Sequence, residues 1–138
     1  MLNKREIEEI LLKYQIKKED TIILSGASLV LQGIKDFTND IDIAVSENYL
    51  NYLLNNYQYT IEFYNYKEGF GVYYINNIIN FSINYYDVDY IILNGYKVQS
   101  LKSIIELKEK LNREKDKEDI RKIKVPECAE ENVTRSMG

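Results

Sequence analysis

The run Asp40-Ile41-Asp42-Ile43-Ala44-Val45 constrains the fold of this chain more tightly than any other segment. Successive side chains of a β-strand point to opposite faces. As a strand, the run therefore sets Asp40, Asp42 and Ala44 on one side and Ile41, Ile43 and Val45 on the other. The aliphatic side needs a core, which makes this a sheet strand with one polar face. Its two carboxylates then lie only about 6–7 Å apart along the backbone. Uncompensated, like charges that close repel each other. A divalent cation removes the conflict. Hard oxygen ligands suit Mg2+, which takes one or two protein carboxylates and completes its shell with substrate phosphates and water. The bland reading of the same two residues is a solvated strand face.

Upstream, Thr21-Ile22-Ile23-Leu24 reads as a short buried strand ending at Ser25-Gly26. Ala27 to Gln32 follows as one or two helical turns closed by Gly33. Gly26-Ala27-Ser28 places no bulky side chain between strand end and helix start. Its backbone N–H groups, with the Ser28 hydroxyl, are therefore candidates to approach a phosphate. An ordinary strand-to-helix turn has the same composition. Residues 35–39 form a loop.

Ile7, Ile10, Leu11 and Tyr14 sit at helical spacing in residues 3–14, and Ser46 caps a helix running to about Asn56. Three strand-like segments follow, 57–66, 70–75 and 78–85, with turns at Lys67-Glu68-Gly69 and Asn76-Asn77. Ser100 then caps a helix from Leu101 to about Asn112, and another covers roughly Lys115 to Lys122. Pro126 ends regular structure, and residues 126–138 are expected to be a disordered tail. Residues 1–125 are expected to form one domain, a small mixed sheet with helices against it. Its class is α+β.

The 138 residues contain no histidine, which removes Ser-His-Asp and Cys-His catalysis and imidazole metal sites. The single cysteine, Cys128, forms neither an intrachain disulfide nor a metal site. Catalysis therefore has to rest on carboxylates, lysines, hydroxyls or a metal held by oxygen. A net charge of −4 argues mildly against nonspecific nucleic-acid binding. Apolar runs are too short to span a bilayer, and acids stand near the N-terminus where a signal peptide needs apolar residues. The expected location is cytoplasmic.

Taken together, the strand, the Gly-Ala-Ser turn, eleven intervening residues and Asp-x-Asp resemble the signature of the nucleotidyltransferase (DNA polymerase β) superfamily. Val98-Gln99-Ser100-Leu101, followed by Lys108, Arg113, Lys115-Asp116 and Asp119, looks like the C-terminal helices of its minimal members. Those occur in bacterial toxin–antitoxin and abortive-infection systems. The two blocks cover about a third of the chain. The resemblance implies the nucleotidyltransferase fold, with Asp40 and Asp42 as catalytic, Mg2+-binding carboxylates and an NTP as substrate. It implies Gly26, Ala27 and Ser28 at the nucleotide phosphates. It also implies transfer of an NMP to a protein, RNA or small-molecule acceptor, in a toxin–antitoxin or phage-defence setting.

Lys108 falls near the apolar stripe of its helix, where it either snorkels to solvent or enters a cleft. The resemblance favours the cleft, with the ammonium against nucleotide phosphate. Asp116 and Asp119 are either a solvated face or support for the site, and Arg113 is assigned no role. One departure stands out. Active relatives carry a third acid on a later strand facing the pair, and here Asn80 takes that place. Asparagine ligates through its carbonyl oxygen but brings no charge. Two other readings follow: a catalytically inactive binding module or antitoxin of the same fold, and an unrelated α+β domain that binds protein through its tyrosine-rich hairpins.

Overall fold

Asn3 and Glu6 cap each other in a reciprocal box, and helix α1 (Lys4–Lys13) starts there. Its Ile7 and Leu11 are buried, as the spacing requires. The computed structural model describes residues 1–56, 60–65 and 71–123. It divides into two compact units, Met1–Ser100 and Leu101–Gly138, where the sequence suggests one domain. The tail from residue 126, and the Lys67–Gly69 turn, lie outside the described residues.

The first unit is built on a seven-stranded mixed sheet. In chain order its elements after α1 are β1 (Thr21–Ile23), α2 (Ser25–Leu31), β2 (Ile41–Val45), α3 (Glu47–Asn56), β3 (Glu62–Asn65), β4 (Gly71–Ile75), β5 (Ile79–Ser82), β6 (Tyr90–Leu93) and β7 (Tyr96–Gln99). The strands lie in the order β3-β4-β5-β2-β1-β7-β6. β1 and β2 are antiparallel, while β2 with β5 and β1 with β7 are parallel. The antiparallel pairing brings the C-terminal end of β1 to the start of β2, and the parallel pairing sets the start of β5 beside it.

One face of this sheet carries the main core. Ile41, Ile43 and Val45 of β2 join Ile23, Ile75, Ile79, Phe81 and Val98 there, under Ile7 and Leu11 of α1, Val30 of α2 and Leu50 and Leu53 of α3. The alternation read at residues 40–45 is thus realised, although the strand begins at Ile41 and Asp40 precedes it. Tyr49 donates its backbone N–H to Ser46 Oγ at 3.1 Å, so Ser46 caps α3 as expected.

Two features differ from the sequence expectation. The strand expected over 78–85 stops at Ser82, and Tyr85–Asp87 form a 3-10 turn. More consequentially, β6 and β7 are strands that the sequence reading missed. They form a hairpin closed by Asn94 and Gly95, both left-handed (φ 51° and 82°), the conformation of a two-residue type I′ turn. Between β4 and β5 the connection is one residue longer: Asn76 and Asn77 are both left-handed, Ile78 N donates to Ile75 O at 3.0 Å, and Ile75 pairs with Ile79.

The second unit contains α4 (Leu101–Leu111) and α5, residues 114–123. Asn112, left-handed at φ 49°, ends α4. Among the described residues no helix is long and apolar enough to cross a membrane.

Candidate functional site

The parallel register of β2 and β5 sets Asn80 beside Asp42. From there Asn80 Nδ2 donates to Asp42 Oδ1 at 2.9 Å and to Asp40 Oδ2 at 3.2 Å. One nitrogen thus holds both carboxylates, and all three residues are half-buried. The convergence expected of Asp40 and Asp42, and the placement of Asn80 against them, are both present. Carboxylates only accept, so the amide must turn its NH2 towards them.

The donor set suits a hard cation. Turning the Asn80 carboxamide by half a turn presents Oδ1 at the point where Nδ2 now lies. Two carboxylates and one neutral oxygen then face one position, leaving sites for phosphate oxygens and water. Among the described residues no group of three or more His, Cys, Asp or Glu side chains is placed to hold a metal. Asn80→Asp replaces the shared donor with a third negative charge. We expect a lower melting temperature without metal and Mg2+ affinity about tenfold higher, because affinity follows ligand charge. Titration calorimetry and thermal melts check both, and an unchanged affinity would mean that position 80 takes no part in metal binding.

The end of β1 is delivered to this pair by the backbone, since Leu24 N donates to Asp42 O at 2.8 Å. Ser25 follows with φ 45°, a left-handed conformation that costs a non-glycine residue about 1–2 kcal/mol. Its N–H donates to Gln99 Oε1 at 2.9 Å. Gly26 is needed for close approach. A Cβ there would stand 2.7 Å from Thr38 Oγ1, and that hydroxyl donates to Asp40 O at 3.3 Å. The loop of residues 35–39 thereby ties the turn to the acidic pair.

Ser28 departs from its expected role. Its hydroxyl, wholly buried, donates to Gln99 O at 2.8 Å and accepts from Gln32 Nε2 at 2.9 Å. It clasps α2 to β7 and is turned away from solvent. Ala27 is buried as well, its backbone included. The half-exposed residues at the turn are Ser25 and Gly26. Gln99, named in the second block of the resemblance but given no role there, organises the turn from the strand that was missed.

Of the second block, Val98, Gln99 and Ser100 belong to the first unit, while Lys108, Arg113, Asp116 and Asp119 form a cluster inside the C-terminal unit. Lys108 Nζ lies 3.4 Å from Asp116 Oδ1 and 3.0 Å from Asp119 Oδ2, and all three residues are buried. Arg113 grips Asp116 with Nε (2.6 Å) and a terminal nitrogen (3.1 Å), and its backbone N–H adds a third bond (3.2 Å). The guanidinium bonds hold the Asp116 carboxyl below the usual carboxylate range, against the upward push of burial and with help from the backbone N–H and Lys108. Asp116 and Asp119 are therefore no solvated face, and Arg113 does have a role. Lys108 neither snorkels to solvent nor stands as a free cation. Its ammonium is committed to two carboxylates of its own unit.

No protein-family model and no curated protein matches this chain. Function therefore has to be argued from the chemistry of the sites themselves.

Proposed function

We propose that the chain adopts the nucleotidyltransferase fold and is a Mg2+-dependent enzyme that moves an NMP from an NTP to an acceptor. The observation that carries this reading is the convergence of Asp40 and Asp42 on Asn80 at the start of β2, beside the half-exposed Ser25-Gly26 turn. Asp40 and Asp42 would hold the metal with Asn80 as a neutral third donor, and the metal would supply charge neutralisation on the triphosphate. The Gly26 backbone would face the phosphates, with Ser25 beside it. An acceptor hydroxyl oxygen forms the new bond to the α-phosphorus and gives up its proton to water, the bond to the α–β bridging oxygen breaks, and pyrophosphate leaves in line. Such transfer rests on positioning and electrostatics, so a chain without histidine can perform it. The acceptor classes are protein, RNA and small molecule, and the setting that fits the resemblance is toxin–antitoxin or phage defence.

Asn80 also favours a second reading, a binding module of the same fold that holds nucleotide without turning it over. One experiment separates the two. The protein is incubated with Mg2+ and NTP labelled at the α- or the γ-phosphate, together with RNA or cell protein. The enzyme transfers only the α-label. Mg2+-dependent NTP binding with no transfer supports the binding module, and absence of both refutes the nucleotide site.

A further inference from the structure

Strand β6 closes one edge of the sheet, and its residues Tyr90, Ile91, Ile92 and Leu93 carry no charge. Natural edge strands are usually blunted by charges, proline or a bulge, because their open backbone groups recruit other strands. At the other edge, β3 begins with the exposed Glu62. On β6, by contrast, Tyr90, Ile91 and Ile92 stand 41%, 44% and 69% exposed. Nothing within the hairpin shields them. The neighbouring Lys97 turns its ammonium to Glu19 O and the Tyr85 hydroxyl, and its Nζ lies 5.5 Å from the centre of the Tyr90 ring.

The pairing of β6 with β7 decides which backbone groups are open. Leu93 opposes Tyr96 across the two-residue turn, so Leu93 and Ile91 direct their N–H and C=O groups to β7. Tyr90 and Ile92 direct theirs outward. An antiparallel copy of the same strand matches this spacing. With a two-fold axis at Ile91, Tyr90 meets Ile92 of the second copy and Ile92 meets its Tyr90, each as a doubly hydrogen-bonded pair. Ile91 meets its own counterpart at the close, non-bonded position. The ring of Tyr90, steadied by Lys97, then covers the exposed Ile92 of the other chain, and no charge opposes a like charge.

We propose that β6 is a self-association surface, at which two copies of this chain join into one sheet continuous across a two-fold axis. The contact is short, well below the area of a permanent dimer, so association depends on concentration. Sedimentation velocity over roughly 1–500 μM, the micromolar range, should show monomer passing to dimer. Ile92→Lys should abolish the dimer over that whole range with an unchanged melting temperature. In the wild-type protein, the Tyr90 and Ile92 amides should gain protection from hydrogen exchange as concentration rises, a readout that stands even if the variant folds poorly. A protein that stays monomeric throughout, a dimer untouched by Ile92→Lys, or outward amides that exchange freely in the dimer would each overturn the proposal. Capture of a different strand-donating protein by a monomeric chain would reassign the edge to that partner.

Discussion

Asp42→Asn should lower nucleotidyl transfer by at least about a hundred- to a thousandfold, the usual effect of removing one electrostatic partner of the transition state. The same substitution should leave the melting temperature unchanged or higher. The amide oxygen of Asn at position 42 can still accept from Asn80 Nδ2, so the local hydrogen bond survives. What disappears is one negative charge beside Asp40, and with it the attraction for a cation. Loss of transfer with an intact fold therefore points to a functional carboxylate. A drop of many degrees would instead assign Asp42 a structural role and remove the main support for the metal site.

The second large effect belongs to the C-terminal unit. Asp116 is fully enclosed, with Arg113 and Lys108 as its partners. Removing its charge leaves Lys108 paired with Asp119 alone and deprives the half-exposed Arg113 of its charged acceptor, a loss of charge-assisted hydrogen bonds that typically costs about 1.5–3 kcal/mol. Asp116→Asn should therefore destabilise α4 and α5 by roughly that amount, seen as faster hydrogen exchange or proteolysis at residues 101–123. The pH dependence has a definite sign. Because the folded carboxyl ionises below its ordinary value near 3.8, its contribution is complete above that value and is lost as pH falls through the lower folded one. The variant should lack this acid-side loss. By the same reasoning Lys108→Met leaves Asp116 and Asp119 without their shared cation, so it should destabilise the unit rather than act as a clean charge deletion. Wild-type stability in either variant would mean that the cluster contributes little.

Periodicity made much of the first unit legible. Alternation at residues 40–45 identified the face of β2 that enters the core, and the same alternation in β5 brought Asn80 to the Asp pair. What periodicity does not carry is delivery from far along the chain. The direction of the Ser28 hydroxyl depends on Gln99, which lies 71 residues away on β7. The local composition of the Gly26-Ala27-Ser28 turn, which made Ser28 a phosphate candidate, carries no trace of that partner. A local signal for β7 itself was available, since Asn94-Gly95 between Tyr90–Leu93 and Tyr96–Gln99 is a strong hairpin mark. It was obscured because Tyr90–Leu93 is uniformly apolar and does not alternate. The helical wheel likewise put Lys108 close to the buried stripe of α4. Only the return of α5, with Asp116 and Asp119 one turn apart, shows what its ammonium meets.

The central claim is that Asp40, Asp42 and Asn80 form one metal-dependent nucleotide site. Calorimetric titration of NTP into the protein, with Mg2+ and then with the metal chelated, tests it most directly, and Asp42→Asn serves as the control. Saturable binding that requires Mg2+ and falls at least about tenfold in the variant is expected, since a charge-assisted contact contributes about 1.5–3 kcal/mol. NTP affinity that is the same with and without Mg2+, or is untouched by Asp42→Asn, would contradict it.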